Sequence, residues 1–249
     1  MNESDDQDRL PASVGGLLGF AAAGYLAHAP LYLALATLAF AIDGIAQFLA
    51  PDKDAIGIGA SVVGDALLIG AVSLGVATRA TGKPAQPARL FEAAVVRWGD
   101  VTGASGVAAI LTIALFKYVL NRNGDDVLSL LSGVCAWILV GALSFAGPVT
   151  ALSNDRPIVA IVTGFGRSLA LSLRLANLPR LVLVTLVIMI VTNIQVALAL
   201  ALNRAHAPHA YFWSGAPLDA LTVGPLAALQ AAFALDFARR VRRLTAPPR

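Results

Sequence analysis

The chain has 249 residues, 57% of them hydrophobic and only 13% charged, with a formal net charge of +3 and a mean hydropathy of +0.75. Ordinary soluble domains are about half apolar and about a quarter charged. So little charge cannot cover a globular surface in water, whereas a surface facing lipid needs no such cover. The basic balance points to Lys and Arg held on one side of a membrane rather than to a nucleic-acid partner. The single cysteine, Cys135, excludes a disulfide within the chain.

The elements follow in chain order. Residues 1–12 are acidic and polar and read as a disordered tail. They lack the basic start and short apolar run of a secretory signal, so no cleavage is expected. Residues 13–28 are apolar and rich in Gly and Ala, and end at His28 before Pro30. A helix there rises about 24 Å, short for a crossing, and reads as an interfacial helix; a separate first span is the alternative. The first span is then about 30–50, followed by the turn Pro51-Asp52-Lys53-Asp54. A glycine-rich second span covers about 56–78, with Ala60, Gly64, Ala71 and Gly75 as a small-residue packing stripe.

The connection 79–100 holds Arg79, Lys83, Arg89 and Arg97. Leu90, Ala94 and Trp98 recur every four residues within it and predict a second interfacial helix. A third span is expected over about 103–120, a turn at Asn121–Asp126, and a fourth span over about 127–148 closed by Gly147-Pro148. Asn154-Asp155-Arg156-Pro157 starts a further helix, on which Ile158, Ile161, Val162, Phe165 and Leu169 fall on one face. The fifth span is about 180–202, residues 203–216 read as a loop, and the sixth span is about 217–238. The basic tail carries Arg239, Arg240, Arg242, Arg243 and Arg249, and residues 244–249 read as its free end.

The predicted fold is therefore all-α, a polytopic membrane bundle of about six transmembrane helices in three hairpins with cytoplasmic interfacial helices. Residues 13–243 form one membrane domain of three repeated units, about 13–80, 86–150 and 155–240. Lys and Arg crowd the connections 79–100 and 151–180 and the C-terminal tail, while the opposite turns hold Lys53, Arg122 and Arg204. That bias places both termini in the cytoplasm and the chain in the cell's inner (plasma) membrane as a multi-pass protein.

Ionisable groups inside a span are costly and mark function or a specific pairing. Asp43 and Asp65 lie about ten and twelve residues from the middle of the turn joining their spans, within about 3 Å of one depth. Gln47 follows Asp43 by four residues and shares its face. These three are candidates for a proton or cation site in a transporter. The alternative is a protonated Asp bonded to Gln47, Ser61 or a neighbouring helix. Asn193, Gln195 and Gln230, near the middle of the fifth and sixth spans, are candidates for interhelical hydrogen bonds. Arg89, Arg97, Arg167, Arg174 and Arg180 are candidates for anionic lipid head groups, or else solvated orientation charges. Asp236 precedes Arg239 and Arg240 by three and four residues and reads as a surface ion pair.

No phosphate loop, nucleophile elbow or zinc-protease helix appears, and no catalytic residue is assigned. His206 and His209 could hold a metal through two imidazoles, but the loop with its proline and the lack of a nearby cysteine argue against it, and no metal or cofactor is expected.

The mitochondrial carriers also have three hairpins, but their Pro-x-Asp/Glu-x-x-Lys/Arg signatures are absent. The layout resembles the six-span YciC-like proteins and the membrane domain attached to some bacterial glycerophosphodiester phosphodiesterases. The run Ala151–Pro157 leading to Gly166-Arg167-Ser168-Leu169, and the run Ala88–Ala93 through Arg97-Trp98, carry the likeness. It implies a fold without an activity, because the catalytic barrel is missing. The expected role is thus a transporter or lipid-interacting membrane protein, or a non-catalytic scaffold or accessory subunit, with an enzyme ranked last. The expected partners are the bilayer, and other membrane subunits or a second copy.

Overall fold

The computed structural model describes residues 9–49, 54–120, 127–153, 157–204 and 208–245, some of them by backbone alone. The described residues form helices α1 (Val14–Leu26), α2 (Ala29–Leu49), α3 (Asp54–Ala80), α4 (Pro87–Leu120), α5 (Val127–Leu143), α6 (Ala146–Ala151), α7 (Pro157–Ser172), α8 (Leu178–Arg204) and α9 (Pro208–Thr245). Five helical stretches, Ala29–Ala46, Ile56–Ala80, Pro87–Val119, Leu131–Ala151 and Leu221–Val241, are long and apolar enough to cross a membrane. α8 has 27 residues and is apolar through Leu178–Ile194. Large apolar side chains face outward, among them Phe48 and Leu49 on α2, Ile110 on α4 and Ile190 on α8. A bilayer solvates such a surface and water does not. The fold is a polytopic helical membrane bundle.

α3 and α9 sit at its centre. α3 packs against α2, α4 and α9, and α9 packs against α1, α2 and α8. α2 returns on α3, α4 meets α5, and α8 returns on α9. The small-residue stripe does what its spacing predicts: a Cβ at Gly64 would lie 2.8 Å from the Ala39 Cα, and one at Gly75 would strike the Tyr32 hydroxyl. The backbones of α2 and α3 approach closely for this reason. The Leu90–Ala94–Trp98 face also packs on α3. Leu90 and Ala94 are buried, and the Trp98 indole donates to the Val63 carbonyl at 2.7 Å.

Several boundaries differ from expectation. The interfacial helix at 86–100 and the third span are one uninterrupted helix, α4, of 34 residues. The polar stretch between them contains no proline, and Asp100 turns inward and pairs with Arg97 at 3.9 Å, so nothing breaks the helix. The expected loop at 203–216 is also largely helical: α8 runs to Arg204 and α9 begins at Pro208. Proline suits a first helical position because its missing N–H needs no partner there. The fourth span breaks after Leu143 and resumes as the short α6, which contains Gly147-Pro148.

On α7 small residues make the most tightly packed line, and Phe165 and Leu169 pack beside it. Ala160, Gly164, Ser168 and Ser172 are buried, whereas Val162 is exposed. Ser168 donates to the Ala142 carbonyl at 2.6 Å, and Gly164 admits Thr150. Small residues at i, i+4 spacing let α7 lie against α5 and α6.

The clusters that join distant parts of the chain define a basic end. Ala80 of α3, Leu181 of α8, Phe237 of α9 and Leu10 and Leu17 of the N-terminal region share one buried cluster. Arg79, Arg180, Arg239 and Arg240 flank these residues in sequence, so the arginine-rich ends of α3, α8 and α9 meet.

Candidate functional site

The basic end is organised around Asp236 on α9, whose side chain is fully buried. An isolated carboxylate could not stay charged there, because desolvation costs several kcal/mol or more. Three guanidinium groups offset that cost. Arg180 pairs with one carboxylate oxygen, Arg240 reaches the same oxygen at 2.9 Å, and Arg239 reaches the other at 2.7 Å. This overturns the surface pair read from the i, i+3 and i+4 spacing. The third partner comes from α8, and no periodicity within α9 could reveal it.

Arg239 and Arg180 have donors left over, and these hold the N-terminal strap. Arg239 donates to the carbonyls of Leu10 and Pro11 at 2.6 and 3.0 Å. Arg180 donates to the Ala12 carbonyl at 2.7 Å. Leu10 itself is buried. Leu10, Pro11 and Ala12 are thus anchored, although they fall in the stretch expected to be tail. Ser13 then caps α1 by accepting from the Gly16 N–H at 3.1 Å.

The strap delivers Arg9 to the end of α3. Gly82 closes that helix with φ +70°, a left-handed conformation that glycine adopts without steric cost. A Cβ at Gly82 would run into the Arg9 guanidinium, so the same glycine makes the turn and admits the side chain. Arg9, Arg79, Lys83 and His28 line one cavity of about 520 Å³, with Phe20 and Gly75 also in its wall. The Arg79 guanidinium lies 5.5 Å from the centre of the Phe20 ring, a cation–π contact that holds it in the wall. Tyr25 and Tyr32 stack with ring centres 5.2 Å apart, and the His28 ring meets Tyr32 edge-on. Burial pushes the Tyr25 phenol above its usual range, so it adds no negative charge beside the cations.

Among the described residues no carboxylate lines this cavity, and none of Arg9, Arg79 and Lys83 takes part in an ion pair. Three cations and an imidazole around one space favour an anion, most of all the tetrahedral oxygens of a phosphate. Sequence reasoning placed Arg79 and Lys83 in a basic connection and Arg9 in the tail. Nothing in the pattern joins position 9 to positions 79 and 83.

The residues singled out from the sequence are dispersed. Asp43 and Asp65 are both half-buried on the α2–α3 hairpin. The Ser61 hydroxyl donates to Asp43 at 3.0 Å, and the Gln47 side chain lies outside the described residues. Asn193 is exposed and donates to the Met189 carbonyl of its own helix at 2.8 Å, so that bond is within α8 and not between helices. Gln230 is buried on α9, and the Gln195 side chain lies outside the described residues.

Of the five arginines, Arg89, Arg167 and Arg174 are exposed. Arg97 pairs with Asp100, and Arg180 is committed to Asp236 and Ala12. The His206 side chain lies outside the described residues, as do those of His209, Tyr211, Phe212 and Trp213. No cluster of metal-ligating side chains occurs among the described residues. No family model, curated protein or solved structure matches the chain.

Proposed function

We propose that this is a lipid-interacting membrane protein whose cavity between α1 and α3 seats the phosphate of an anionic lipid head group. The observation that carries the reading is the convergence of Arg9, Arg79, Lys83 and His28 on one cavity that no carboxylate of the described residues lines. Lipid phosphates lie at the depth where spanning helices end, and α3 ends at Ala80, between Arg79 and Lys83. The bias of Lys and Arg supports this end facing the cytoplasm, where anionic lipid attracts basic groups. The resemblance of the hydropathy layout to YciC-like proteins also supports a multi-pass role.

Transport through Asp43, Gln47 and Asp65, and a scaffold role, have less support. Asp43 already accepts a bond from Ser61, and neither cavity described here is lined by either aspartate.

The test is native mass spectrometry of the full chain from nanodiscs of mixed phosphatidylglycerol and phosphatidylcholine. Retained phosphatidylglycerol is expected, with a loss of about tenfold or more in Arg79→Gln/Lys83→Gln, since each charge-assisted contact contributes about 1.5–3 kcal/mol. Equal retention of both lipids, or an unchanged profile in the double variant, would overturn the reading.

A further inference from the structure

A second cavity, of about 320 Å³, lies among α3, α4, α5 and α9 and shares no residue with the basic one. Its wall is mainly apolar, with Ile69, Leu143 and Leu226 among the lining side chains. The exception is Gln230. It sits near the middle of the apolar stretch Leu221–Val241 and is only 8% exposed. Its amide makes no hydrogen bond among the described residues and opens onto the cavity instead of being sealed in the packing. At this depth lipid tails offer an amide no hydrogen bond, so its partner must come from whatever occupies the cavity. The nearby Ser144 hydroxyl is already committed, donating to the Gly141 carbonyl at 2.7 Å. Ser105 and Thr112, two turns apart on α4, add hydroxyls to the opposite wall.

A mostly apolar space of this size with a few convergent polar groups is the common form of a small-ligand site. We infer that the cavity binds a membrane-soluble ligand carrying a carbonyl on an apolar body, with the carbonyl oxygen accepting from the Gln230 amide. A quinone ring and an acyl ester share that chemistry and are its two sources in a membrane. The inference is independent of the head-group site, since the lining residues are separate.

The test uses the purified full chain in detergent and follows its melting temperature with three probes. Decylubiquinone offers the quinone carbonyl, dioctanoylglycerol the ester, and n-decane the apolar body alone. At least one carbonyl probe should raise the melting temperature while decane does not, and the responding probe identifies the source. Gln230→Leu, of similar volume, should bind that probe about tenfold more weakly, the factor one neutral buried hydrogen bond contributes. Ala109→Phe, which places a ring in the cavity wall, should abolish the shift. If Gln230→Leu does not fold, Ala109→Phe decides. No response to either carbonyl probe, an equal response to decane, or full binding by the folded variants would show a water-filled space only and overturn the inference.

Discussion

Arg180 of α8 and Asp236 of α9 are 56 positions apart in the chain, yet they form an ion pair, and the same guanidinium donates to the carbonyl of Ala12. One side chain thereby ties α8 and α9 to the N-terminal strap. The charges do not cancel: three guanidinium groups surround one carboxylate. The strap carbonyls of Leu10, Pro11 and Ala12 accept further donors of Arg180 and Arg239.

Asp236→Asn should therefore be strongly destabilising. It leaves cations facing one another without a counter-charge, and breaking a buried pair in this way costs about 3–5 kcal/mol. The lower end is expected, because Arg240 is 35% exposed and partly screened. Chemical denaturation in detergent measures the cost. Hydrogen exchange should show faster exchange in the strap and early α1. Arg240→Gln should cost less than about 1 kcal/mol.

Gly64 and Gly57 lie on one helix and predict opposite outcomes. A Cβ at Gly64 meets the Ala39 backbone at 2.8 and 2.9 Å, whereas one at Gly57 meets nothing within 4 Å. Gly64→Ala should cost about 1–3 kcal/mol through separation of α2 from α3. Gly57→Ala should be neutral or stabilising by up to about 1 kcal/mol, because alanine is the better helix former. Melting temperatures of the two variants check the pair.

Trp98→Phe keeps most of the ring packing and removes the donor that reaches Val63 across α3 and α4. A loss of about 1 kcal/mol is expected, the usual net contribution of one such bond. A melting temperature equal to that of the parent protein would show that the indole N–H adds no stability there.

Gly82→Ala links backbone conformation to the basic cavity. The left-handed turn costs a residue with a side chain about 1–2 kcal/mol, and the new methyl displaces Arg9. Stability should fall modestly while phosphatidylglycerol retention falls as well. A drop in stability alone would place Arg9 outside the site.

Asn193→Leu should change stability by no more than about 0.5 kcal/mol, as surface changes away from special features do. Its amide is exposed and bonds within its own helix. A large loss on denaturation would reveal an interhelical role.

The sequence reading works best where the determining physics is local. The stripe Gly64, Ala71 and Gly75 marks a close approach, and Leu90, Ala94 and Trp98 mark a packed face, because side chains four apart on a helix share a side. It fails where length and polarity were taken for a break. The polar residues around Asp100 do not interrupt α4, and Pro208 opens a helix instead of sitting in a loop. On α7 the apolar face is split: Val162 faces outward, while Phe165 and Leu169 pack against the bundle beside Gly164 and Ser168.

The sequence by itself determined that this chain lives in a membrane as apolar helices, because hydropathy and charge are sums over neighbouring residues. Only the tertiary structure decided that Arg9 meets Arg79 and Lys83, that Asp236 is buried beneath Arg180, and that Gln230 faces a cavity. Those relations depend on which helix ends lie side by side. Van der Waals fit between small-residue faces sets that arrangement, and many linear patterns are compatible with it.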